Sequence, residues 1–258
     1  SPRSTHPLGT SSEGSLWFYD QIESVWTMLN QSITQNVSEE LSSSSELFGS
    51  LVPLFEGHSA WDLLQKVQSA GDFNADGYLD IAVLMSHDER MSNPDETWII
   101  AETCEAAAWD QGGLYIFLGG PQFDWHPDFV YWGHAGDQAT SLSGGYDYNG
   151  DLYDDILIGA VAHDHDGLSD VGRVVMIQGR AQNYEGQIEV ICEPSFDYHG
   201  IHARDYVGSQ VRGMRDLNGD GCDEMAIGIQ LDQSQGLINQ GGALIVFGHG
   251  QTSCGYSA

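Results

Sequence analysis

A chain of 258 residues with 41% apolar content is long enough to bury the core of one large domain or two smaller ones. Its 38 acidic against 8 basic residues leave a net charge of −30, which argues against nucleic acid and anionic membranes as partners, because both are recognised through basic patches. Cations are the expected ligands, and no apolar run approaches the ~20 residues of a membrane-spanning helix.

Residues 1–50 read as an N-terminal extension, Ser-rich and interrupted by the run Ser42-Ser43-Ser44-Ser45. Within it Ile22, Val25, Trp26, Leu29 and Ile33 fall at helical spacing, which predicts a short amphipathic helix over 19–34. Asn30-Gln31-Ser32 and Asn36-Val37-Ser38 are the chain's only glycosylation sequons, a pattern that also arises by chance. Starting at Ser1 rather than Met fits a processed N-terminus.

Residues 51–258 are organised by one motif that occurs three times. It runs Asp72-Phe73-Asn74-Ala75-Asp76-Gly77-Tyr78-Leu79-Asp80, then Asp147 to Asp155, then Asp216 to Glu224, with starts 75 and 69 residues apart. Side-chain oxygens stand at positions 1, 3, 5 and 9: Asp72, Asn74, Asp76 and Asp80; Asp147, Asn149, Asp151 and Asp155; Asp216, Asn218, Asp220 and Glu224. Hard carboxylate, amide and carbonyl oxygens are what Ca²⁺ takes, and the carbonyls of Tyr78, Tyr153 and Cys222 at position 7 would complete each shell. Three Ca²⁺ sites are therefore expected. An EF-hand would need a Glu at position 12, but Val83, Ile158 and Ile227 stand there, inside short β-branched runs that read as strands. The competing reading is three unrelated Asx-turns, since Asp, Asn and Gly favour turns in any case; recurrence in three copies weighs against it.

Around each loop the pattern is a strand in, a strand out, a variable excursion and a Gly-led strand: Gly112–Gly119, Gly172–Gly179 and Gly241–Gly248. A fourth strand is expected at Asp128–Trp132 after the first copy and at Gln187–Ile191 after the second. Four antiparallel strands per repeat suit β-propeller blades, three of them. Over about residues 51–250 the chain resembles the FG-GAP repeat of the integrin α-subunit propeller and its bacterial relatives, which combines a Phe-Gly start, such a calcium loop, a Gly-Ala-Pro and a Gly-led third strand. Tyr206-Val207-Gly208 approximates Phe-Gly, and Ile158-Gly159-Ala160-Val161 is the nearest approach to Gly-Ala-Pro. The resemblance implies an all-β propeller-blade fold with structural calcium. It transfers no integrin ligand.

Three blades are too few to close. Leu51-Val52-Pro53-Leu54-Phe55 aligns with the fourth strands yet precedes the first copy, while the third copy lacks one. Donation of this spare strand to a neighbouring subunit is expected, giving an oligomer or a filament.

The remaining chemistry is sparse. Cys104, Cys192, Cys222 and Cys254 allow two disulfides in any of three pairings, or buried thiols. His163-Asp164-His165-Asp166 would suit a transition metal, though alternate residues of a loop ordinarily face solvent, and the same holds for His199 and His202. Trp98 and Trp109 flank the 86–111 insertion and are the candidates for stacking on a sugar. There is no Gly-x-Ser-x-Gly and no His-Glu-x-x-His. The expectation is a secreted or cell-surface calcium-binding structural or adhesive protein that self-associates and is not an enzyme. The alternatives are a carbohydrate-binding module, whose partner would be a glycan, and a propeller-family hydrolase or lyase.

Overall fold

A computed structural model describes residues 63–87, 98–99, 111–121, 123–124, 126–182, 187–231 and 240–249. The expected 19–34 helix, the strand at Leu51–Phe55, Trp109, Cys104 and Cys254 lie outside these residues. Everything described is all-β, with no helix, in three sheets.

Sheet 1 holds β1 (Leu64–Gly71), β2 (Asp80–Met85), β3 (Trp98–Ile99), β4 (Gly113–Phe117), β5 (Phe129–Trp132) and β9 (Ile188–Ile191), in the order β1-β2-β4-β5-β9-β3. Sheet 2 is β10 (Phe196–His199), β8 (Arg173–Ile177), β7 (Asp155–Ala160) and β6 (Ala139–Tyr146). Sheet 3 contains β11 (Val207–Met214), β12 (Glu224–Ile229) and β13 (Gly242–Val246). Each acidic loop joins the first two strands of an antiparallel meander: β1–β2, β6–β7 and β11–β12.

Two expectations about strands need correction. Sheet 1 has six strands among the described residues rather than four, while sheet 2 has four and sheet 3 three, the latter as expected of a copy without a fourth strand. And Gln187–Ile191 does not close the second sheet: β9 pairs in parallel with β5 of sheet 1, Val130 opposite Val190 and Tyr131 opposite Ile191. The outer strand of sheet 2 is β10, docked on β8 with Asp197 opposite Val175 and His199 opposite Arg173. The cause is non-local. Ile191 carries its apolar side chain into the core between sheets 1 and 2, whereas the less apolar Phe-Asp-Tyr-His strand is held by a two-pronged ion pair, Arg173 Nε and Nη2 to the Asp197 oxygens at 2.8 and 2.7 Å.

Alternation along the strands explains the stacking of the sheets. On β7, Ile156 and Ile158 enter a core shared with Leu84, Ile116 and Phe129 of sheet 1, while Leu157 between them enters a second core with Val211, Met225 and Ile227 of sheet 3. On β8, Val175 and Ile177 point one way and Val174 and Met176 the other. Successive side chains of a strand face opposite sides, so the near-continuous apolar runs of β7 and β8 mark strands buried on both faces. Sheet 2 is the middle layer.

Candidate metal centres

The three loops share one hydrogen-bond framework. The position-1 carboxylate accepts from the backbone N–H groups of positions 5 and 6: Asp72 from Asp76 and Gly77, Asp147 from Asp151 and Leu152, Asp216 from Asp220 and Gly221, all between 2.9 and 3.2 Å. The position-3 amide oxygen accepts from the position-5 N–H, and the position-5 carboxylate accepts from the position-7 N–H. Positions 4 and 6 are left-handed in every copy: Ala75 and Gly77, Gly150 and Leu152, Gly219 and Gly221. Only the third loop has glycine at both, so the first two carry the cost of a side chain at positive φ, roughly 1–2 kcal/mol each. In all three copies the loop N–H groups thus hold the side-chain oxygens of positions 1, 3 and 5 in one framework.

Position 9 is buried. Asp80 accepts from Phe73 and Gly119 N–H, both at 2.7 Å, and Asp155 from Tyr148 at 3.1 Å and Gly179 at 2.9 Å. Burial pushes the Asp80 carboxyl up to about 6 and the Asp155 carboxyl up to about 7; the N–H donors oppose this, and the neighbouring loop carboxylates add to it. Each oxygen keeps a lone pair for a cation. In the third loop the Asp216, Asp220 and Glu224 oxygens lie within 4.8 Å of one another. Glu224 bonds Leu217 N–H through Oε2, while its buried Oε1 has no hydrogen-bond partner. An orphaned carboxylate oxygen beside two other carboxylates is the donor arrangement a hard cation satisfies.

The sequence reading missed two features. The first is position 8. Asp154 Oδ2 accepts from Asp72 N–H at 2.8 Å while Asp154 N–H donates to the Asp72 carbonyl at 3.1 Å; Asp223 repeats this on Asp147 at 3.1 and 2.9 Å. Each loop is thereby clipped to the one before it, and in the first loop position 8 is the exposed Leu79. The acidic pairs Asp154-Asp155 and Asp223-Glu224 were the available signal. The second is the glycine after each third strand. A Cβ on Gly119, Gly179 or Gly248 would meet loop carbonyls at 2.2, 2.5 and 2.3 Å, so these positions let the third strand seal the loop.

Asp154→Ala should therefore leave the Asp72 N–H without its carboxylate. A loss of ~1.5–3 kcal/mol of stability is expected for a charged hydrogen bond, read as a lower denaturation midpoint with unchanged slope.

Elsewhere, Cys192 and Cys222 are both disulfide-bonded. Trp98 lies in β3, but its side chain and Trp109 fall outside the described residues. Trp132, whose side chain is described, is buried. His202 sits 3.3 Å from Asp205. The chain matches no protein-family model, and no curated protein matches it.

Proposed function

We propose that this chain is a calcium-stabilised structural or adhesive repeat protein of the extracellular space, built from FG-GAP-like propeller blades and assembling with copies of itself. The observation that carries the calcium reading is the repetition of one donor framework in three successive sheets, ending in the unpartnered Glu224 Oε1. The Ca²⁺ ligands are Asp72, Asn74, Asp76, Asp80 and the Tyr78 carbonyl; Asp147, Asn149, Asp151, Asp155 and the Tyr153 carbonyl; and Asp216, Asn218, Asp220, Glu224 and the Cys222 carbonyl. Because positions 8 clip the loops in series, filling one loop orders its neighbour's backbone. Disulfide bonding at Cys192 and Cys222 supports an oxidising compartment, where calcium is abundant enough to saturate sites of moderate affinity.

Self-assembly is supported by the two outer sheets. Ile245 of β13 and Phe247 just past its end are exposed, as are Leu64 and Val67 on β1 of sheet 1, while β13 is an edge strand among the described residues. Leu51–Phe55 is the segment proposed to pair with that edge in a neighbouring subunit.

Calorimetric titration of the calcium-stripped chain tests the metal reading. Three equivalents of Ca²⁺ are expected, falling to two in Asp216→Ala. A stripped chain that takes up no calcium would overturn it.

A further inference from the structure

The excursion between β7 and β8 does not leave its histidines in solvent, as alternation in a loop had suggested. His163 is buried, with 6% of its surface exposed. His165 is fixed by reciprocal backbone hydrogen bonds with Leu168, at 3.0 and 2.9 Å. His199 arrives from the end of β10, not from a second excursion. The His165 and His199 rings stack with centroids 3.8 Å apart, and His163 lies 6.0 and 5.8 Å from them. One ring nitrogen from each of the three lies within 4.8 Å of the others.

We propose that His163, His165 and His199 bind a borderline first-row divalent cation of the Zn²⁺ class, at a site chemically separate from the acidic loops. Imidazole nitrogens favour Zn²⁺, Cu²⁺ and Ni²⁺, whereas the all-oxygen loops suit harder ions.

Three features beyond proximity support a built site. His163 Nδ1 is 2.7 Å from Asp137 Oδ1, which fixes the ring and leaves Nε2 as its ligand atom, the carboxylate–histidine arrangement that orients metal-binding imidazoles. Asp137 is itself held: its Oδ2 accepts from His134 N–H at 2.8 Å and from Arg173 Nη1 at 3.3 Å. His199 Nδ1 is buried without a hydrogen bond, its nearest carboxylate oxygen being Asp197 Oδ1 at 3.5 Å. A cation would satisfy an orphaned nitrogen here. Tetrahedral coordination at ~2.0–2.1 Å puts ligand nitrogens about 3.4 Å apart, so closure requires shifts of about an ångström. The partly exposed His165 and His199 rings make these shifts by rotation, and solvent fills the fourth position. The buried Arg173 opposes a second positive charge, but Asp137 and Asp197 both pair with it.

The test is titration of the intact chain with Co²⁺, then Zn²⁺, in saturating Ca²⁺ so that the acidic loops are occupied. One equivalent of Co²⁺ should give tetrahedral d–d absorption that Zn²⁺ abolishes. His165→Ala and His199→Gln should each weaken binding at least about 100-fold, and Asp137→Asn by about 10–100-fold. Because both first variants alter partly exposed rings, an unchanged melting point in Ca²⁺ would show that the fold persists. Absence of the tetrahedral bands from the intact chain in saturating Ca²⁺, or their survival in the His165→Ala/His199→Gln double variant, would each overturn the proposal.

Discussion

Stripping calcium from the intact chain should lower its thermal midpoint by about 15–30 °C. A ligand at a hundred times its Kd stabilises the folded state by ~2.7 kcal/mol per site, and three sites together approach the ~5–15 kcal/mol stability of an ordinary domain. For a chain of this size each kcal/mol moves the midpoint by ~2–4 °C. The physical source is the crowding of carboxylates around each loop, which a cation neutralises. The pH dependence of the metal-free protein should have a definite sign. Asp80 and Asp155 titrate in the fold near 6 and 7, above their unfolded value of 3.8. The stability they contribute is full below the unfolded value and is lost as pH rises through the folded ones, because the folded state then has to hold buried charge. With calcium present the trend reverses, since the ion binds the ionised form. Scanning calorimetry from pH 4 to pH 8, with chelator and with calcium, should show the gap between the two curves widening upward. A gap that stays constant, or a midpoint indifferent to chelator, contradicts the calcium reading.

Introducing charge on the outer face of sheet 3 should take the proposed self-assembly apart. Ile245 of β13 and Phe247 just past its end are exposed, and burying one such side chain at a contact is worth ~1.5–3 kcal/mol. The double variant Ile245→Glu/Phe247→Glu should therefore weaken self-association by on the order of 10²–10⁴-fold while leaving the calcium-dependent melting in place. Sedimentation velocity over a concentration series reads this directly. Removing residues 1–56 should act in the opposite sense on solubility, because the sheet 3 edge would lose the segment proposed to cover it and an uncovered edge invites aggregation. An intact chain that sediments as a compact monomer at high concentration, or a truncated chain that stays a well-behaved monomer, would count against assembly by strand donation.

How much of this was legible depends on the range of the interaction. Asp72, Asn74, Asp76 and Asp80 and their counterparts are readable because a nine-residue loop between two strands keeps its chemistry in one window. The β character of Ile156–Ile158 was likewise local, since β-branched runs favour extended backbone. By contrast, Asp154 bonds Asp72 across 82 residues, and nothing in the window around Asp154 shows that its partner is the preceding loop rather than solvent. The exchange of β9 for β10 has the same origin. Chain proximity and apolar content both favoured Gln187–Ile191 as the outer strand, and a charge pair between Arg173 and Asp197 decided otherwise.

By itself, then, the sequence determined the all-β character of the described residues and their three acidic loops between paired strands, because donor spacing and strand alternation are short-range properties. Only the tertiary structure decided which face of β7 meets which sheet, that position 8 of each later loop holds the loop before it, and that His163, His165 and His199 share one site. Those groups are separated along the chain by up to 82 residues. They meet because stacking apolar sheet faces leaves few arrangements that bury Leu157 on one side and Ile156 and Ile158 on the other.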